Sequence, residues 1–124
     1  MDTQAVHLSV EPVDEALSIT PQLSAEDMQA AAAAGFRSIV NTRPDLEGGP
    51  SQPRSAELEA AARAAGLQYR HLPVPPSGHS DADARRMAQL IDSLPKPVLA
   101  FCRTGRRSAA LYQKGRTGGA GTRG

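Results

Sequence analysis

A single cysteine occurs in the 124 residues, and the residues around it suggest a chemistry. The run Phe101-Cys102-Arg103-Thr104-Gly105-Arg106-Arg107-Ser108 sets a sulfur, a glycine and three guanidinium groups in one short stretch. In a tight loop that opens a helix, backbone N–H groups point inward without helical partners. They can hold an anion, and the helix dipole adds to the attraction. Those donors and Arg107 predict a Cys102 thiol that ionises near neutral pH and acts as a nucleophile. Gly105 lets the backbone turn back with no Cβ in the way. Arg107 is expected to close over a tetrahedral oxyanion with a bidentate fork, which Lys cannot copy. Ser108 either hydrogen-bonds the thiolate or caps the helix. Arg103 and Arg106 are expected to point outward as a basic rim. Arg103, Thr104, Gly105, Arg106 and Ser108 thus form the expected substrate-binding loop around catalytic Cys102 and Arg107. The bland alternative makes Cys102 a small core residue and the arginines a solvated helix start. The specific spacing weighs against it.

The elements that must position this loop alternate between apolar runs and amphipathic helices. Leu17–Thr20 reads as a first strand. Ser24, with Asp27 three residues on, reads as a capping box for a helix that stops at Gly35. Ser38–Asn41 is a strand, and the Pro- and Gly-containing segment 42–54 is a loop. Ser55 opens a second helix that stops at Gly66, and Gln68–Val74 is the next strand. A second loop follows through Pro75, Pro76 and Gly78. Ser80 and Asp83 cap a third helix with an apolar stripe at Met87, Leu90, Ile91 and Leu94. Val98–Phe101 is the continuous apolar run of a buried central strand in a parallel sheet. A fourth helix begins near Arg106 and carries Ala109, Ala110 and Leu111. The recurring helix–Gly–strand pattern predicts an α/β fold with a mainly parallel sheet. In this reading residues 1–16 are an N-terminal extension and 17–113 are the domain. Residues 114–124 are a Gly- and Arg-rich tail without fixed structure, which leaves a short fourth helix and one sheet face partly bare.

Composition narrows the function classes. The formal net charge is +1, which gives no case for nucleic acid or a membrane surface as partner. One cysteine excludes an intramolecular disulfide, and His7, His71 and His79 lack ligand spacing, so no metal or other cofactor is expected. The first residues show no basic region followed by an apolar one, and no apolar run reaches membrane-spanning length. A cytoplasmic setting is expected, where a lone thiol stays reduced.

Cys102-Arg103-Thr104-Gly105-Arg106-Arg107-Ser108 resembles the active loops of rhodanese-type sulfurtransferases and of cysteine phosphatases. Gly35-Phe36-Arg37-Ser38-Ile39-Val40-Asn41-Thr42-Arg43-Pro44-Asp45 resembles the second strand and loop of dual-specificity phosphatase folds. Tyr69-Arg70-His71-Leu72-Pro73-Val74 is similar to their next strand. Taken together, Leu17 to about Tyr112 resembles the phosphatase-like domain of beta-lactamase-hydrolase-like proteins, also described as a sulfur-transferase family. The resemblance implies a phosphatase-like, three-layer α/β fold of the dual-specificity type, with Cys102 as nucleophile and Arg107 as anion clamp. In that family the domain can be fused to a metallo-beta-lactamase-fold hydrolase of persulfide metabolism. A separate persulfide dioxygenase of that fold is therefore an expected partner.

Two features bear on the reaction that the resemblance implies. Four residues separate Cys102 from Arg107, as in rhodanese loops, whereas cysteine phosphatases have five. Where phosphatase-like folds place a general-acid Asp, this sequence has Pro75 and Pro76. Asp45, His79, Asp81 and Asp83 remain as candidate acids. An alkoxide needs a proton to leave, whereas sulfite or a thiolate does not. Both features favour a sulfurtransferase that passes sulfane sulfur from a small donor to an acceptor thiol through a Cys102 persulfide. A cysteine phosphatase acting on phosphate esters is the alternative. An inactive anion-binding or redox module is the second alternative. Arg43 either braces the Cys loop, touches substrate or pairs with Asp45 or Glu47. His71 reads as a packing residue. His79 and Asp81 sit in a loop expected to cover the site.

Overall fold

The computed structural model describes residues 8–122. Its element order is β1 (Glu11–Pro12), β2 (Leu17–Thr20), α1 (Asp27–Ala33), β3 (Ser38–Asn41), α2 (Ser55–Ala64), β4 (Gln68–His71), α3 (Asp81–Ser93), β5 (Val98–Phe101) and α4 (Arg106–Thr122). The sheet order is β1-β2-β5-β3-β4. β2, β5, β3 and β4 run parallel, and β1 joins β2 antiparallel.

The apolar run Val98–Phe101 is fully buried because β5 is flanked by β2 and β3 and covered on both faces. Its side chains alternate between two cores. Val98 and Ala100 join Leu17, Ile19, Val40, Met87, Ile91, Leu111 and Tyr112 on the α3–α4 face. Leu99 and Phe101 join Met28, Ala31, Ile39, Leu58, Ala62 and Tyr69 on the α1–α2 face. The result is the expected three-layer α/β architecture. The polar residues of β3 are paired, as burial demands. Ser38 Oγ donates to Pro95 O at 2.7 Å, and Asn41 Nδ2 donates to the Tyr69 hydroxyl oxygen at 3.0 Å.

Four details differ from the sequence reading. First, α4 does not end near Lys114 but runs on to Thr122, so the expected unstructured tail is helical as far as the described residues go. Glycine assists this packing: a Cβ at Gly115 would lie 2.2 Å from the Ala84 carbonyl oxygen, so bare backbone lets α4 approach α3. Lys114–Asp81 (3.1 Å) and Arg116–Asp92 (3.0 Å) pairs line the same seam. The sheet face expected to be bare is covered by Leu111 and Tyr112. Second, part of the expected extension belongs to the sheet. β1 pairs with Ser18 and Ile19, and Asp14 accepts a 2.6 Å hydrogen bond from the Tyr112 hydroxyl. Burial and that carboxylate push the Tyr112 hydroxyl up to about 12. Third, β4 ends at His71 rather than Val74, because Pro73 has no N–H for the ladder. The Leu72 and Val74 amides still donate to Asn41 O and Thr42 O. Fourth, α1 starts at Asp27, and only half of the expected box forms: the Asp27 carboxylate accepts from Ser24 N–H at 2.7 Å.

Candidate active site

The chain leaves β5 at Phe101 and re-enters helix at Arg106, so Cys102 stands beyond the carboxyl end of the central strand. Ligands bind there in parallel α/β sheets. The residue is only 1% exposed. Gly105 closes the loop at φ +92°, and a Cβ there would sit 3.2 Å from the Thr20 carbonyl oxygen. Its N–H donates to Cys102 Sγ at 3.0 Å. Burial pushes the Cys102 thiol up, but the backbone N–H groups of Ser108, Thr104, Arg107 and Gly105 together outweigh it. The thiol therefore ionises below its ordinary value.

Arg107 is anchored from behind. Its Nη1 and Nη2 donate to Glu47 Oε1 (2.8 Å) and Oε2 (3.0 Å), and Nη1 also donates to Val74 O at 3.0 Å. A guanidinium has five N–H groups. Among the described residues these bonds use three of them; Nε–H and one Nη2–H remain, a side-on pair suited to two oxygens of an anion. Glu47 is shared: its Oε2 also accepts from Arg43 Nε at 2.9 Å, and Arg43 Nη1 donates to Gln22 Oε1 at 2.9 Å. The hydrogen bond from Arg107, with that from Arg43, holds the Glu47 carboxyl below the usual carboxylate range despite its burial. Arg43 therefore braces the loop through Glu47. Its own carbonyl is hydrogen-bonded to His71 Nε2 at 2.8 Å. Gly48 lets this happen, since a Cβ there would meet Arg43 Nη2 at 2.6 Å.

The remaining predicted residues are divided between the site and the frame. A cavity of about 380 Å³ opens over Cys102, walled by Arg103, Thr104, Arg106 and Arg107 on one side and by Pro75, Pro76, Gly78 and His79 on the other. Arg103 and Arg106 are exposed at its rim, as expected, and Arg106 also pairs with Glu11. Ser108 is buried, with its Oγ 2.9 Å from Thr42 Oγ1. Thr42 Oγ1 already donates to Phe101 O at 3.2 Å. A hydroxyl has one proton, so Ser108 is the donor in that pair and serves the thiolate through its backbone N–H instead.

Asp81 is not brought to the cavity: it is exposed and paired with Lys114. Asp45 accepts from Ser55 N–H at 2.7 Å at the start of α2, and Asp83 forms the capping box of α3 with Ser80. Among the candidate acids, His79 alone lines the cavity. A larger hollow of about 480 Å³ lies between α3 and α4, walled by Ala84, Gly115 and Thr117 among others. Among the described residues it carries neither cysteine nor histidine, and its Lys114 is paired with Asp81, so the smaller cavity is the candidate chemical site. Among the described residues no three His, Cys, Asp or Glu side chains converge as a metal ion would require.

Glu47 and Thr42 are the site residues whose roles the sequence did not reveal. Glu47 was visible only as a possible partner for Arg43 at i+4, and nothing in the order of residues joins it to Arg107, 60 positions away.

Comparisons with known proteins agree with this fold. The solved structures include a Neisseria meningitidis protein described as a candidate phosphatase, with a TM-score of 0.77 and 37% identity over 82% of this chain and 72% of that one. A Shewanella putrefaciens structure of similar description shares the fold at a TM-score of 0.73 and 18% identity, covering 90% and 69% of the two chains. The beta-lactamase hydrolase-like protein of Agrobacterium fabrum (strain C58) is 38% identical over 103 residues, 83% of this chain but 24% of that protein. Its counterpart from Xylella fastidiosa (strain Temecula1) is 35% identical over 105 residues, again 24% of its length. This chain thus spans about a quarter of the curated relatives it matches. The family model for the phosphatase-like domain of beta-lactamase hydrolase-like protein matches residues 9–119, and the chain belongs to that family.

Proposed function

We propose that this domain is a cysteine-dependent phosphatase that hydrolyses phosphate monoesters. The observation that supports this most is Cys102 in one cavity with Arg107, its Sγ accepting from Gly105 N–H at 3.0 Å and its thiol held below the ordinary value by the backbone N–H groups of the loop. Such an arrangement suits a phosphoryl group in flight. The thiolate attacks phosphorus, the P–O bond to the leaving group breaks, and a phosphocysteine forms. The loop amides and Arg107 hold the equatorial oxygens, where charge accumulates. Water then attacks phosphorus, releasing inorganic phosphate and the thiolate. Gly105 keeps the loop closed, Thr104 and Ser108 contribute backbone donors, and Arg103 and Arg106 make the mouth attractive to anions. The description of the 37%-identical Neisseria protein as a candidate phosphatase points the same way.

Sulfur transfer is the second reading, favoured by two specific observations. Only four residues separate Cys102 from Arg107, and among the described residues no Asp or Glu lines the cavity to protonate an alkoxide. On that reading Cys102 takes the outer sulfur of a small donor and passes it to an acceptor thiol. A metallo-beta-lactamase-fold persulfide dioxygenase would then be a fitting partner.

Turnover of p-nitrophenyl phosphate, thiosulfate and glutathione persulfide by the purified protein separates the two. The phosphatase reading expects the ester to be hydrolysed and Cys102→Ser to lower that rate by about 10³-fold or more. Turnover of the sulfur donors with no ester hydrolysis would reverse the order.

A further inference from the structure

We propose that His79 is the proton donor to the leaving group and the base for the attacking water, a role that rests on the phosphatase reading. An alkoxide leaves only with a proton, and positioned general acids contribute about 10²–10⁴-fold to such steps. The cavity over Cys102 narrows the choice. Its titratable lining side chains are Cys102, Arg103, Arg106, Arg107 and His79. Guanidinium groups do not release protons in proteins. Cys102 is the nucleophile. The prolines 75 and 76 carry no proton to give. Imidazole alone both gives and takes a proton near neutral pH.

The loop holding His79 is fixed at both ends, as a catalytic acid requires. At the near end, Val74 N–H donates to Thr42 O at 3.0 Å and Val74 O accepts from Arg107, so the loop is tied to the anion clamp itself. Gly78 N–H then turns back to Pro75 O at 3.3 Å. At the far end, the residue after His79 is the α3 cap. There Ser80 N–H donates to Asp83 Oδ2 at 3.1 Å, and Asp83 N–H donates to Ser80 Oγ at 3.0 Å. His79 is half-buried between these anchors. The charged groups on its two sides are the Asp83 carboxylate of the α3 cap and, lining the same cavity, Arg103, Arg106 and Arg107. Asp81 is drawn away by Lys114.

The proton balance closes on this chain's own groups. In the first step the P–S bond forms, the P–O bond breaks, and the imidazolium of His79 passes its proton to the departing oxygen. In the second, neutral His79 takes a proton from water as its oxygen attacks phosphorus and the P–S bond breaks. Thiolate and imidazolium are both restored.

The test is single-turnover release of the leaving group from two esters, p-nitrophenyl phosphate and phenyl phosphate, by wild type, His79→Gln and Cys102→Ser. A nitrophenolate departs without help, whereas phenol needs the proton. The assignment expects His79→Gln to slow phenol release by about 10²-fold or more while changing nitrophenol release by less than about tenfold. Equal losses on both esters, or none on either, overturn the assignment and leave the Cys102 chemistry standing. If the wild type cleaves neither ester, or Cys102→Ser cleaves them as fast as wild type, the phosphatase reading falls and the role of His79 falls with it.

Discussion

The sulfur of Cys102 sits between two opposed influences: burial, which disfavours its charge, and inward-facing amides, which favour it. The amides prevail because the turn at Gly105 and the first turn of α4 aim several of them at one point. That much was legible in the sequence, since Cys102, Gly105 and Arg107 are near neighbours at a strand-to-helix junction. The support for Arg107 was not, because Glu47 comes from a distant loop. The bridge leaves Glu47 and Arg107 side chains only 12% and 13% exposed, so breaking it matters. Glu47→Gln leaves Arg43 and Arg107 facing each other without a carboxylate. It should cost roughly 2 kcal/mol near neutral pH, somewhat less than a fully buried pair. The sign of the pH dependence follows from the lowered Glu47 carboxyl. Its contribution is full above the ordinary glutamate range and is lost as pH falls through the lowered folded value, so the variant and wild type should converge toward acid. Urea unfolding at neutral and acid pH measures this. A misplaced guanidinium should also lower kcat/KM by about 10²-fold.

Among the elements, the pairing of α3 with α4 is where sequence rules misled. Glycine lowers helix propensity by about 1 kcal/mol relative to alanine, and a Gly-rich run reads as the end of a helix. At Gly115 the packing reverses that argument, because the missing Cβ is what lets the helices touch at Ala84. Gly115→Ala should therefore destabilise the protein by about 2 kcal/mol despite improving local propensity, because the obstacle is backbone and cannot swing aside. Urea unfolding gives the sign directly, and a more stable variant would mean that α4 does not pack this closely. The capping box at Ser80 and Asp83 was legible because the pattern is local and complete. The one at Ser24 formed only in half, since the chain enters α1 through a turn at Ala25 and Glu26 rather than from Ser24 itself.

At the scale of the molecule, the parallel sheet and the placing of the loop at the mouth of β5 followed from apolar runs and their spacing. The incorporation of Glu11–Pro12 did not, because a two-residue edge strand has no period to read and is held by its partners, Ser18 and Ile19. With Glu11 on Arg106 and Asp14 on Tyr112, that segment is fastened to the helix that opens at the site. The central claim of the proposed phosphatase reading is that Cys102 carries the phosphoryl group between ester and water. Acid quenching during turnover of p-nitrophenyl phosphate, followed by mass spectrometry of the peptide containing Cys102, tests this most directly. The account predicts a Cys102 peptide heavier by one phosphoryl group, absent from Cys102→Ser. Steady ester hydrolysis with no such adduct, undiminished in Cys102→Ser, would contradict it.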